Sequence, residues 1–139
     1  MLWQLPPSVA AFQALFEGTA SGIATWLRDD VAFRPPDYGK TWTGKELVCR
    51  LLGFASEEFG GLVYTDAWSN GDRYALRFEG EIDRKPFQGI DVVHLDRAGN
   101  IALIEIFARP PTAMLALRDR MGLHVRNDPV ASRLMGLAA

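Results

Sequence analysis

The sequence predicts an α+β fold in which an antiparallel sheet curves over three helices to form a cone-shaped barrel. Three observations predict it. Apolar residues recur at helical spacing in the first half of the chain, with Val9, Phe12, Leu15 and Phe16 together and Leu47, Val48, Leu51 and Leu52 together. From residue 62 the pattern changes to strand-like alternation punctuated by Asn70-Gly71 and Gly99. One face of those strands is apolar except for Thr65, Tyr74 and a single charge, Asp91.

The elements follow in order. Pro7 suits the first turn of a helix over 7–17 that Gly18 and Ser21-Gly22 interrupt. A short second helix is expected through Ile23, Trp26 and Leu27 to Arg28, closed by Asp29-Asp30. Val31–Arg34 reads as a short strand stopped by Pro35-Pro36. A loop over 35–42 carries Asp37, Tyr38 and Trp42, and Thr43 with Glu46 forms a capping box opening a helix to about Phe54. Two hairpins follow: Leu62–Trp68 with Arg73–Ile82, then roughly 87–95 with 101–109. Pro111 opens a last helix carrying Met114, Leu115, Leu117 and Met121. The chain is expected to be one domain over 1–139, with 125–139 an extension that the pattern does not place.

Composition excludes several function classes. A net charge of −2 with scattered basic residues predicts no nucleic-acid partner, because phosphate binding needs clustered cations. The start lacks the charged and apolar regions of a signal peptide, and no segment is apolar for long enough to span a membrane, so a cytoplasmic protein is expected. There is no CxxC, no HExxH and no tight acidic cluster, and no metal is expected. The single cysteine, Cys49, sits in an apolar helical run and reads as a small core residue.

Strand parity sorts the candidate site. With Asn70-Gly71 as the turn, Ala67 pairs with Tyr74, Thr65 with Leu76 and Val63 with Phe78; a four-residue turn at 83–86 carries the same face to Phe87, Gly89, Asp91 and Val93. Across the last hairpin it continues through Ala102, Ile104, Ile106 and Ala108. An aspartate on such a face is costly unless paired or protonated, and desolvation raises its pKa. A neutral Asp91 donates to a carbonyl or enolate oxygen, whereas an ionised one takes a proton from an acidic C–H or from water. The alternative is that Asp91 satisfies a tyrosine hydroxyl or a backbone amide within the core. The outward face is mixed, holding Tyr64, His94 and Glu105 among others, and its Trp68, Ile90, Val92 and Phe107 make an apolar patch that suggests a homodimer through the outer sheet face.

These residues carry a resemblance. Tyr74–Glu79 and Gly89–Ile101, together with Trp26–Phe33 and Gly44, resemble the ketosteroid isomerases and SnoaL-like polyketide cyclases of the nuclear transport factor 2-like (cystatin-like) superfamily, over about residues 8–123. The resemblance implies a cone cavity for a flat apolar small molecule, with no cofactor. Asp91 matches the acid that donates to the ligand oxygen in ketosteroid isomerases. Tyr74, Leu76 and Phe78 match its apolar wall, and Val93, Ile106, Trp26, Phe16, Trp42 and Tyr38 are further candidate ligand contacts. The isomerase base position is Pro35, its tyrosine position is Ala11, and the arginine of limonene-epoxide hydrolases falls on Gly89. Steroid isomerisation and epoxide hydrolysis of those kinds are therefore not expected. Two readings remain: an isomerase- or cyclase-type enzyme moving a proton through Asp91, and a non-catalytic binding or dimerisation module.

Overall fold

The computed structural model describes residues 4–20, 22–59 and 61–137. Helix α1 spans Pro7–Glu17, with Pro7 in its first turn, and Gly18 ends it in the left-handed conformation that glycine accepts most readily. A single 3-10 turn, Ala24–Trp26, leads into strand β1, Leu27–Arg34. The expected second helix is thus one turn, and Asp29-Asp30 lie inside a strand. The reason is a register irregularity between Leu27 and Ala32 that puts Arg28, Asp29 and Asp30 all in solvent, a run that obscures alternation.

Strand β2 is only Trp42–Thr43, and helix α2, Lys45–Phe59, runs a turn further than expected because Ala55 and Phe59 extend its buried stripe. Strands β3 (Val63–Asn70), β4 (Arg73–Ile82), β5 (Lys85–Leu95) and β6 (Ile101–Arg109) form the meander. Helices α3 (Pro111–Arg126) and α4 (Pro129–Leu134) complete the described chain. The sheet has six strands in the order β2-β1-β6-β5-β4-β3. It is mixed rather than purely antiparallel: β1 lies parallel to β6, with Phe33 beside Ile104. Helix α1 packs on α2 and β3, α2 on β1 and β2, and α3 across β4, β5 and β6.

Both hairpins pair two residues out of the register that the sequence predicts. Asn70 pairs with Arg73, so the first turn is Gly71-Asp72. Ile82 pairs with Lys85 around Asp83-Arg84, both left-handed, as a two-residue turn of right-handed strands requires. A two-residue error preserves parity, so the β4–β5 face keeps its assignment. At β3 it does not hold: Thr65 is an extra residue between Tyr64↔Phe78 and Asp66↔Arg77. This bulge turns Tyr64 inward, where it is buried, and displaces Thr65 from the inner row. A second irregularity, between His94 and Leu95, makes Ile101 rather than Ala102 the buried residue that starts β6.

The segment beyond residue 125 is anchored. Asp128 caps α4 by accepting from the Ala131 amide, and Arg50 of α2 donates to its other carboxylate oxygen at 2.8 Å. Val125 and Ala131 are buried there. No helix among the described residues is long and apolar enough to cross a membrane, which says nothing of β-barrels.

Candidate functional site

Asp91 projects from the middle of β5 with Leu76 opposite on β4 and Ile106 opposite on β6. One rung away Tyr74 and Ile104 flank Val93 two residues along β5, and Phe78 and Ala108 flank Gly89 on the other side. Leu76, Phe78, Val93 and Ile106 are all buried, and Asp91 itself is 2% exposed. It is the one charged residue in that class among the described residues. The Tyr64 hydroxyl donates to Asp91 Oδ2 at 2.7 Å, and the Tyr64 ring meets Phe78 edge to face. Among the described residues no donor reaches Oδ1.

The electrostatics follow from that enclosure. Burial pushes the Asp91 carboxyl up to about 7, and the hydrogen bond from Tyr64 opposes the rise only in part. Burial and the neighbouring carboxylate push the Tyr64 phenol well above its ordinary range, so it stays a donor. A carboxyl that changes protonation near neutral pH can act as either acid or base.

The other sequence candidates divide into two groups. Phe16 lies in an aromatic train, 5.0 Å from Phe12 and 5.7 Å from Phe59, and Phe59, Phe87 and Phe78 continue it toward Tyr64. Trp26 is half-buried at the entry to β1 and packs on the same core. Tyr74 is half-buried on β4. Tyr38 and Trp42 are not brought to Asp91. They stack on each other at 6.1 Å and line a separate pocket of about 500 Å³, into which neither Asp91 nor Tyr64 projects. A smaller cleft of about 350 Å³ at the end of β1 is lined by Pro35, Pro36 and Ile106, the last being the cross-strand neighbour of Asp91.

Tyr64 escaped the sequence reading because parity assigns it outward and only the bulge at Thr65 reverses that. The one available signal was chemical: a buried carboxylate needs a donor, and tyrosine supplies one. At Gly89 a Cβ would come closer than 3.0 Å to the Phe107 carbonyl oxygen, the Phe78 ring and Ala108 Cβ, so no arginine fits. Arg34 and His94, on the outer face, both bond Glu105, at 2.9 and 3.0 Å. Arg109 donates to Gln88.

A curved, mixed six-stranded sheet packed against helices is a cystatin-like α+β fold. The comparisons agree. An uncharacterized protein conserved in bacteria with a cystatin-like fold, from Silicibacter pomeroyi, superposes with a TM-score of 0.88 at 32% identity, over 95% of this chain and 94% of that one. A steroid delta-isomerase from Pseudomonas aeruginosa superposes at 0.78 with 26% identity, over 91% and 97%. A nuclear transport factor 2-like protein of unknown function from Exiguobacterium shares the fold at 0.56 and 14% identity, over 73% and 98%. No protein-family model matches the chain, and no curated protein matches it by sequence. The chain belongs to the nuclear transport factor 2-like, or cystatin-like, superfamily.

Proposed function

We propose that this chain is a SnoaL-like small-molecule enzyme that binds a flat, apolar carbonyl compound in the cone and moves a proton next to the carbonyl with Asp91. The observation that carries the reading is the Tyr64–Asp91 pair: a carboxyl enclosed by apolar side chains, bonded by a neutral hydroxyl and titrating near 7. Asp91 takes the α-proton on Oδ1 as it becomes the neutral acid, and returns it to the same or a neighbouring carbon. Tyr64 holds Oδ2 and supports the ionised form. The likeness to the P. aeruginosa isomerase adds support for proton transfer as a class, while Pro35 and Ala11, standing where a base and a tyrosine would be expected, speak against steroid isomerisation itself.

A second reading has its own observation. Leu76, Phe78 and Val93 pack against one another around Asp91 with almost no exposure, as in a core that only needs its carboxyl satisfied. Exchange of α-protons of 1-tetralone in deuterated water, followed by NMR, separates the two. The enzyme reading expects the protein to speed exchange at least about a hundredfold and Asp91→Asn to abolish the gain, which is the lower end of the usual contribution of an acid–base group. Binding without faster exchange favours the non-catalytic module.

Self-association through the outer sheet face belongs to the same proposal. Trp68 is 52% and Phe107 58% exposed there, with Ile90 and Val92 half-buried between the strands. Sedimentation of the wild type against Trp68→Glu tests it; a monomer for both removes it.

A further inference from the structure

Strands β4, β5 and β6 carry a groove of about 400 Å³ on the sheet face turned away from Asp91. The strand pairing places it there. Arg77, Ile90 and Phe107 share one rung, Glu79, Gln88 and Arg109 share the next, and all of them alternate with the inward residues Phe78, Gly89 and Asp91. Ile90 and the exposed ring of Phe107 supply apolar surface to the groove. Its lining holds two charged side chains, Arg77 and Arg109, and no acid.

Both guanidiniums are held in place by neutral oxygens. Arg77 Nη1 donates to Thr65 Oγ1 at 2.9 Å, and Arg109 Nε donates to Gln88 Oε1 at 3.2 Å. Each bond uses one of the five N–H donors that a guanidinium carries. Arg109 forms no ion pair among the described residues. Three carboxylates lie nearby on the same strands. Glu105 is bonded by Arg34 and His94, and Asp66 accepts from the Thr65 hydroxyl. Glu79 is half exposed and stands 3.7 Å from Arg77, beyond hydrogen-bond reach, so it competes for that arginine only weakly. A planar anion that reaches both arginines fills donors that these carboxylates leave open, and the apolar surface between them favours an aromatic body. A cation would meet two like charges in the lining.

We propose that this outer-face groove binds an aromatic carboxylate, with its ring against Ile90 and Phe107 and its carboxylate between Arg77 and Arg109. The site is complete within one protomer and rests neither on the chemistry at Asp91 nor on self-association. It shares Ile90 and Phe107 with the apolar patch of the outer sheet face, so the ligand and a second copy compete for that surface.

The test uses the intact chain with 2-naphthoate, the neutral 2-naphthylmethanol and acetate. Binding is followed by NMR from the Gln88 and Ile90 amides. The expected result is that 2-naphthoate shifts both amides and binds at least about tenfold more tightly than either control, the scale of a charge-assisted hydrogen bond or of partial ring burial. Arg109→Gln weakens 2-naphthoate about tenfold. Glu79→Gln strengthens it about twofold by freeing Arg77, the scale of an exposed ion pair, and a gain of that kind cannot come from a damaged fold. Asp91→Asn leaves binding unchanged. Thermal midpoints confirm that each variant is folded. Equal affinity for 2-naphthoate and either control, no shift of these amides up to about 1 mM 2-naphthoate, or full affinity in Arg109→Gln overturns the proposal. Binding seen only in Trp68→Gln also overturns it, because the face is then an interface between copies and not a ligand site. Loss of binding in Asp91→Asn would overturn it by placing the ligand in the cone. Failure of tetralone exchange leaves this groove untouched, and failure here leaves the proton-transfer reading standing.

Discussion

Asp91 and Glu105 sit one rung apart on neighbouring strands, β5 and β6, on opposite faces of the same sheet. Both lose hydration, and their titration moves in opposite directions. Asp91 meets only a neutral hydroxyl, and burial wins: its carboxyl rises to about 7. At Glu105 burial also pushes upward, but Arg34 and His94 donate to the two oxygens and the carboxyl ends below its usual range. Depth and the charge of the partner together decide whether a carboxylate in a sheet is poised for chemistry or held as an ion.

The largest expected effect breaks the comparison at the inner face. A raised folded-state pKa means the native protein holds a proton that the unfolded chain releases. That stability is fully present below about pH 4 and is lost as pH rises through 7, to the extent of about 4 kcal/mol. Urea unfolding across this range therefore shows wild-type stability falling, and Asp91→Asn removes the fall. A flat wild-type profile would mean that Asp91 is not desolvated as described.

Next in size is Gly89→Ala, beside the pair. Overpacking against the Phe107 carbonyl, the Phe78 ring and Ala108 costs about 1–3 kcal/mol. An unchanged denaturation midpoint would show that β5 and β6 can part at this rung. Tyr64→Phe removes the donor to Asp91 and costs about 1–2 kcal/mol. It also moves the fall in stability to higher pH, because Tyr64 holds the Asp91 pKa down. A fall that stays at the same pH would show that the hydroxyl does not act on Asp91.

The smallest effect lies on the outer face. Glu105→Gln costs less than about 1 kcal/mol, as a half-exposed arginine contributes little to its ion pair. Its sign is opposite to that of Asp91. The stability Glu105 provides is present above the unfolded-state pKa and is lost as pH falls through the depressed folded one. Unfolding at pH 3 and pH 6 checks it: the variant should differ from the wild type only at the higher pH.

Much of this was legible in the chain. The helix at Pro7–Glu17, the four long strands and the inward place of Asp91 follow from spacing alone, and they survive two misplaced turns because each shifts the strand pairing by an even number of residues. A single inserted residue is different. Thr65 shifts parity by one and carries Tyr64 from the outer to the inner face, and nothing at Tyr64 or Thr65 marks the bulge. The short turn at Ala24–Trp26 was misread for a related reason, since three consecutive exposed residues hide the start of β1.

What the sequence determined by itself was local: which segments are helices and strands, and that one carboxylate lies on an apolar face. These depend on periodicity and turn chemistry within a few residues. What only the tertiary structure decided was long-range. It paired β1 in parallel with β6, gave Asp91 a hydroxyl 27 residues distant, and folded α3 and α4 over the loop at Asp37 to enclose a cleft. Those outcomes depend on registers, bulges and helix docking, where many distant contacts compete and no local pattern records which prevails.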